Sequence, residues 1–174
     1  MEQDLPLLLS QKIVEPYRPI LHRLCGFSHD LYGDRLCGLL LFGSVGRGTP
    51  HYNSDLDLLL VIDPLPHGRM ARVREFDPIE ESLEPDLQQL RQIGRHCELS
   101  PIFKTCSELF EGSPLMFDMT VEGEILFEKD SILTSALDKL RSNLTRLGSQ
   151  KVSSGGGWYW RLKPDYKPGE VFSL

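Results

Sequence analysis

The chain has 174 residues, 40% hydrophobic and 25% charged, with a formal net charge of −6. That length predicts one domain with room for a proper core, and the acidic balance disfavours broad nonspecific nucleic-acid binding, which needs a basic face. No run approaches the roughly 18 apolar residues that span a bilayer, and Leu5–Leu9, preceded by Glu2 and Asp4, is too short and wrongly flanked for a secretory signal. Cys25, Cys37, Cys97 and Cys106 show neither C-x-x-C spacing nor a cluster with histidine, which points to buried thiols in a cytoplasmic protein.

In chain order, Leu5 to Tyr32 reads as helical in two pieces. Pro16 and Pro19 interrupt it, and Ile20, Leu21 and Leu24 face inward. Gly33-Asp34 turns the chain into the apolar run Leu36–Phe42, a buried strand closed by Gly43-Ser44. A loop rich in Gly, Asn, Pro and Ser follows, and Asp55-Leu56-Asp57 then heads a second apolar run ending at Ile62. Met70, Val73, Phe76, Ile79, Leu83, Leu87, Leu90 and Ile93 form one long helical stripe. Pro78 and Pro85 predict a break or kink within it. A third strand follows, about His96 to Thr105, and Pro101 places it at a sheet edge or turns its own nitrogen outward. Ser107–Phe110 suggests a short helical turn, and Glu124–Glu128 another strand after the Glu122-Gly123 turn. The spacing of Leu133, Leu137, Leu140, Leu144 and Leu147 predicts a helix over Ser131–Leu147, capped by Asp130 or Ser131. Ser153–Gly157 reads as a flexible joint. The consecutive aromatics Trp158-Tyr159-Trp160 should dock: on the parent domain, on a partner protein, or on bases of single-stranded RNA.

The chemistry concentrates in Leu39–Ile62. Alternate strand residues share a face, so Asp55 and Asp57 point the same way, their Cα atoms about 6.5 Å apart. Two adjacent carboxylates repel, and a divalent cation with oxygen ligands relieves that repulsion. Gly43-Ser44 lets the backbone approach a ligand and aims N–H groups and a hydroxyl at an anion, while Arg47 adds positive charge. A carboxylate pair next to a phosphate cradle suits phosphoryl or nucleotidyl transfer. His51 and Tyr52, in the same loop, are open to contact with nucleotide or acceptor, or to simple loop packing.

Gly43-Ser44, ten residues and then Asp55-x-Asp57 resembles the signature of the polymerase-beta-type nucleotidyltransferase superfamily. Gly43-Ser44-Val45-Gly46-Arg47-Gly48 with Ser54-Asp55-Leu56-Asp57-Leu58 is similar to its minimal nucleotidyltransferase (MNT-like) branch. The resemblance covers about residues 36–128. It implies an α+β fold, a short mixed or antiparallel sheet flanked by helices like the polymerase-beta palm. The implied organisation is a nucleotidyltransferase domain over 1–148, with N-terminal helices (1–35), catalytic core (36–128) and C-terminal helix (129–148), then a joint and aromatic docking tail over 149–174.

The resemblance further implies that Ser44 holds the triphosphate, with Gly43 and Arg47 beside it, and that Asp55 and Asp57 bind Mg²⁺ or Mn²⁺. It also implies a third acid on a neighbouring strand. Glu98 is preferred there over Asp118, although the family usually carries aspartate; it would act as general base on the attacking hydroxyl. ATP or another NTP would be the donor. The implied setting is a toxin–antitoxin pair in which a HEPN-type ribonuclease is adenylylated. With no large second domain for a polynucleotide, a protein side chain or small molecule is expected as acceptor. The alternative is a catalytically weak or inactive module that neutralises a partner by docking.

Overall fold

The computed structural model describes residues 11–172; of the first helical piece expected between Leu5 and Pro16, residues 11–16 form turns and bends instead of helix, and the rest lies outside the described residues. Helix α1 (Tyr17–Tyr32) carries Pro19 in its first turn, where no N–H donor is needed, and a single 3-10 turn (Gly33–Arg35) delivers the chain into β1 (Leu36–Phe42). One helical turn, α2 (Gly43–Gly46), and a loop lead to β2 (Leu56–Ile62). Next come α3 (Arg69–Gln92), β3 (Leu99–Lys104), α4 (Cys106–Glu111), α5 (Met116–Glu122), β4 (Glu124–Glu128) and α6 (Ile132–Arg146). A hairpin of β5 (Gln150–Ser154) and β6 (Gly157–Arg161) follows.

The expected α+β architecture is present. Four strands form one mixed sheet in the order β3-β2-β1-β4, with β2–β3 parallel and the other two pairings antiparallel. β1 and β2 are covered on both faces, which is why they read as unbroken apolar runs rather than alternating ones. Leu39 and Leu41 of β1 and Leu56, Leu58 and Leu60 of β2 meet α1 and α3 in one core cluster. Leu40, Phe42, Leu59 and Val61 meet α4, α5 and α6 in another. Strand β3 takes the edge position expected from Pro101, which pairs in register with Leu58.

Three further local expectations are revised. Helix α3 runs uninterrupted through Pro78 and Pro85. Both prolines are exposed, so carbonyls that lose a partner face water, while Phe76, Ile79, Leu83, Leu87 and Leu90 anchor the buried side. At the start of α6, Asp130 and Ser131 both adopt positive φ and Ser131 makes no side-chain cap. Glu128 caps instead, accepting the Thr134 N–H at 3.0 Å and the Thr134 hydroxyl at 2.6 Å. The glycine-rich stretch is the turn of a β-hairpin: Gly155 and Gly156, both at positive φ, join strands paired from Gln150↔Arg161 to Ser154↔Gly157. The aromatics docks onto this same chain, with the Trp160 ring edge-on to Phe117 at 6.0 Å.

Candidate functional site

The site forms where β1 ends, β2 begins and β3 enters beside it. Phe42 at the end of β1 is in register with Asp57, and Asp57 with Ser100 of β3. The chain leaves β1 through Gly43 at φ +70, where a Cβ would stand 2.0 Å from Asp57 Oδ2. Glycine is required there twice over, by backbone conformation and by the carboxylate resting against its Cα. Asp57 is half-buried; burial and the adjacent Asp55 carboxylate push its acid above the ordinary range, while Arg47 pulls the other way. Asp55 is exposed and accepts the Glu98 backbone N–H at 3.1 Å, and Leu56 N–H donates to the Glu98 carbonyl at 2.9 Å.

Ser44 sits on the turn with its hydroxyl donating to Ser54 Oγ at 2.8 Å. Ser54, only 6% exposed, also accepts the His51 backbone N–H at 2.8 Å. The loop is thereby closed on itself and Ser44 is oriented from beneath. Tyr52 is 68% exposed; its carbonyl accepts the His96 N–H at 2.8 Å, tying the loop to the entry of β3.

The structure thus brings together Gly43, Ser44, Asp55 and Asp57. Arg47 is within electrostatic reach of Asp57, but its Nη1 donates to Glu122 at 2.7 Å and its guanidinium lies 4.8 Å from the Trp158 ring centroid. Glu98 reaches Asp55 through its backbone, and its side chain is exposed near Glu80, whose pKa it helps raise after burial and Asp77. Among the described residues no group of three or more His, Cys, Asp or Glu side chains is arranged to hold a metal. Asp118 accepts both indole N–H groups, from Trp158 at 3.0 Å and Trp160 at 2.9 Å, and pairs with Lys151 at 3.0 Å. Burial opposes its charge, but those donors outweigh burial and hold Asp118 below the ordinary carboxylate range.

Sequence reasoning did not single out Ser54, Glu122 or Lys151. Ser54 was legible as a small hydroxyl directly before the first aspartate. Nothing local marked Glu122 or Lys151, because their roles depend on the hairpin folding back. Lys151 bonds Glu122, and its ammonium lies 4.3 Å from the Trp158 ring centroid.

Carboxylates beside a glycine-serine turn suit nucleotidyl transfer. Residues 34–111 match the nucleotidyltransferase domain family, and the resemblance read from the sequence is borne out at that level. That match and the relative described next support a nucleotidyltransferase enzyme. It is similar to a Methanocaldococcus jannaschii protein named "Putative protein adenylyltransferase MJ1305", 28% identical over 118 residues, covering 67% of this chain and 75% of that one. Solved structures with a similar outline include a toxin–antitoxin with AMP-PNP (TM-score 0.46, 16% identity, 74% of this chain and 92% of that one). Another is a tri-AMPylated Shewanella oneidensis HEPN toxin in complex with MNT antitoxin (TM-score 0.45, 14% identity, 74% and 87%).

Proposed function

We propose that the protein is a Mg²⁺-dependent protein adenylyltransferase that moves AMP from ATP to a hydroxyl on a partner protein, a HEPN-type toxin. The observation that carries this reading is the Asp57 carboxylate resting against Gly43, with Asp55 close enough for its charge to raise the Asp57 acid and Ser44 on the adjoining turn. The adenylyl donor and protein acceptor are suggested by the printed name of the M. jannaschii relative.

The donor set suits a hard divalent cation. Asp55 and Asp57 offer carboxylate oxygens whose mutual repulsion a cation would relieve, and substrate phosphates and water would complete the shell. When bound, the metal supplies charge neutralisation at the phosphates. Ser44 and the N–H groups of its turn receive the triphosphate, and Arg47 adds a positive charge at its edge. The acceptor oxygen attacks the α-phosphorus, a new P–O bond forms, and the bond to pyrophosphate breaks. Glu98, one residue ahead of β3 and tied to Asp55 through its backbone N–H, takes the hydroxyl proton.

The test is incubation with α-labelled ATP, Mg²⁺ and candidate acceptor proteins. Label transfer should occur with wild type and vanish in Asp55→Asn and Asp57→Asn proteins that melt as folded domains. Transfer persisting in both variants would refute the metal assignment. A second reading, a docking module with little turnover, is favoured by the lack of a three-carboxylate cluster among the described residues. Under it, Asp57→Ala protein still protects cells from the partner.

A further inference from the structure

We propose that the β5–β6 hairpin is a working part of the nucleotide site, with Trp158 and Glu122 as positioning residues that hold Arg47 toward the triphosphate. The inference rests on the nucleotide-binding role proposed above for the Ser44 turn. The hairpin lies wholly outside the matched nucleotidyltransferase region, which ends at residue 111. It nonetheless reaches the residue that follows the α2 turn.

The contacts converge from three elements. Asp118 and Glu122 lie four residues apart on α5, hence on one helix face. Glu122 takes the Arg47 Nη1 hydrogen at 2.7 Å and also bonds Lys151 of β5. Asp118 fixes the Trp158 indole through Nε1 at 3.0 Å and Lys151 at 3.0 Å. Trp158 thereby presents its ring to two cations, Arg47 at 4.8 Å and Lys151 at 4.3 Å. Two acids, two cations and one aromatic plate form a charge-balanced bracket around the guanidinium. Its polar members are mostly shielded: Glu122 is 12% exposed, Lys151 24% and Arg47 28%. Those values leave the ion pairs less screened than open surface ones.

A guanidinium has five N–H donors in a rigid fork. The Glu122 bond uses one of them, and the Trp158 contact is to the guanidinium carbon, 4.8 Å from the ring centroid. The bracket thus fixes orientation while leaving donors for phosphate oxygens. A flexible arginine would lose rotamer freedom on meeting the triphosphate, and prior immobilisation removes that cost from binding. Gly46 keeps α2 close to α5: a Cβ there would lie 3.4 Å from the Glu122 carbonyl oxygen and 3.1 Å from that of Leu41.

The experiment measures equilibrium binding of a fluorescent ATP analogue with Mg²⁺ to the full chain and its variants. Trp158→Ala and Glu122→Gln should each weaken binding about three- to tenfold, the range of a partly desolvated cation–π or ionic contact. Trp158→Phe, which keeps the ring, should recover most of that loss. Arg47→Ala combined with Trp158→Ala should bind no worse than Arg47→Ala alone, because the tryptophan acts through the arginine. Tyr159→Ala, on the same strand, should leave affinity at the wild-type level and serves as the control for hairpin integrity. Losses that multiply in the double variant, or a Tyr159→Ala loss equal to that of Trp158→Ala, overturn the inference. So does Trp158→Ala binding within twofold of wild type. Wild-type protein that binds no ATP analogue overturns the nucleotide-site reading itself and this inference with it, an outcome distinct from wild-type binding that ignores the hairpin.

Discussion

Gly43 and Asp57 occupy one space between them, which makes the pair sensitive to a single methyl group. Gly43→Ala would drive a Cβ to 2.0 Å from Asp57 Oδ2 and force a left-handed backbone on alanine. We expect about 1–2 kcal/mol of destabilisation and at least a hundredfold loss of label transfer, read by urea unfolding and the α-labelled ATP assay. Asp57 itself is held at a cost. Its folded-state acid lies above the ordinary value, so the contribution of its protonated form is lost as pH rises through that folded value. At pH 7 the charge opposes folding, and Asp57→Asn is expected to raise the metal-free Tm by about 2 °C while abolishing transfer. Differential scanning calorimetry without divalent ions checks the first half; a lowered Tm would contradict the electrostatic account.

Between elements, the contact with the sharpest pH signature joins α3 to α4. Arg72 grips Glu108 through two parallel bonds, Nη1 to Oε2 at 2.7 Å and Nη2 to Oε1 at 2.8 Å. Arg72 and the Thr105 backbone N–H of the capping box lower the Glu108 acid from 4.5 to about 2. A depressed folded value means the contribution is fully present above about pH 4.5 and lost as pH falls toward 2. Glu108 is 35% exposed, so solvent screening leaves about 1–2 kcal/mol. Urea midpoints across pH 2–6 should show this slope in wild type and not in Glu108→Gln. The elements themselves were largely legible, because the runs 36–42 and 56–62 and the 3.6-residue stripes carry their own periodicity. The Asp-x-Asp pair and the Gly-Ser turn were legible for the same reason: chemistry and local conformation coincide there. The Glu128 cap and the proline-tolerant α3 were not, since tertiary packing decides them. The bracket around Arg47 was invisible because residues 47, 122, 151 and 158 meet only after the sheet has formed.

Across the whole molecule, the central strands are sandwiched, so neighbouring leucines belong to different cores. Leu59 packs toward α4–α6 and Leu60 toward α1 and α3, each fully buried. Leu59→Ala and Leu60→Ala should each cost about 2–5 kcal/mol by denaturant unfolding. A sheet with one wet face would spare one of the two, and a loss under 1 kcal/mol at either site would contradict the two-layer packing. The return of the hairpin to the α2 turn also sets an order of assembly. Arg47 leaves the ribosome roughly 100 residues before Trp158, a lag of about 5–20 s at ordinary translation speeds. Through that interval the nascent chain can build its sheet before the hairpin reaches Arg47, so the arginine gains its aromatic neighbour late in synthesis.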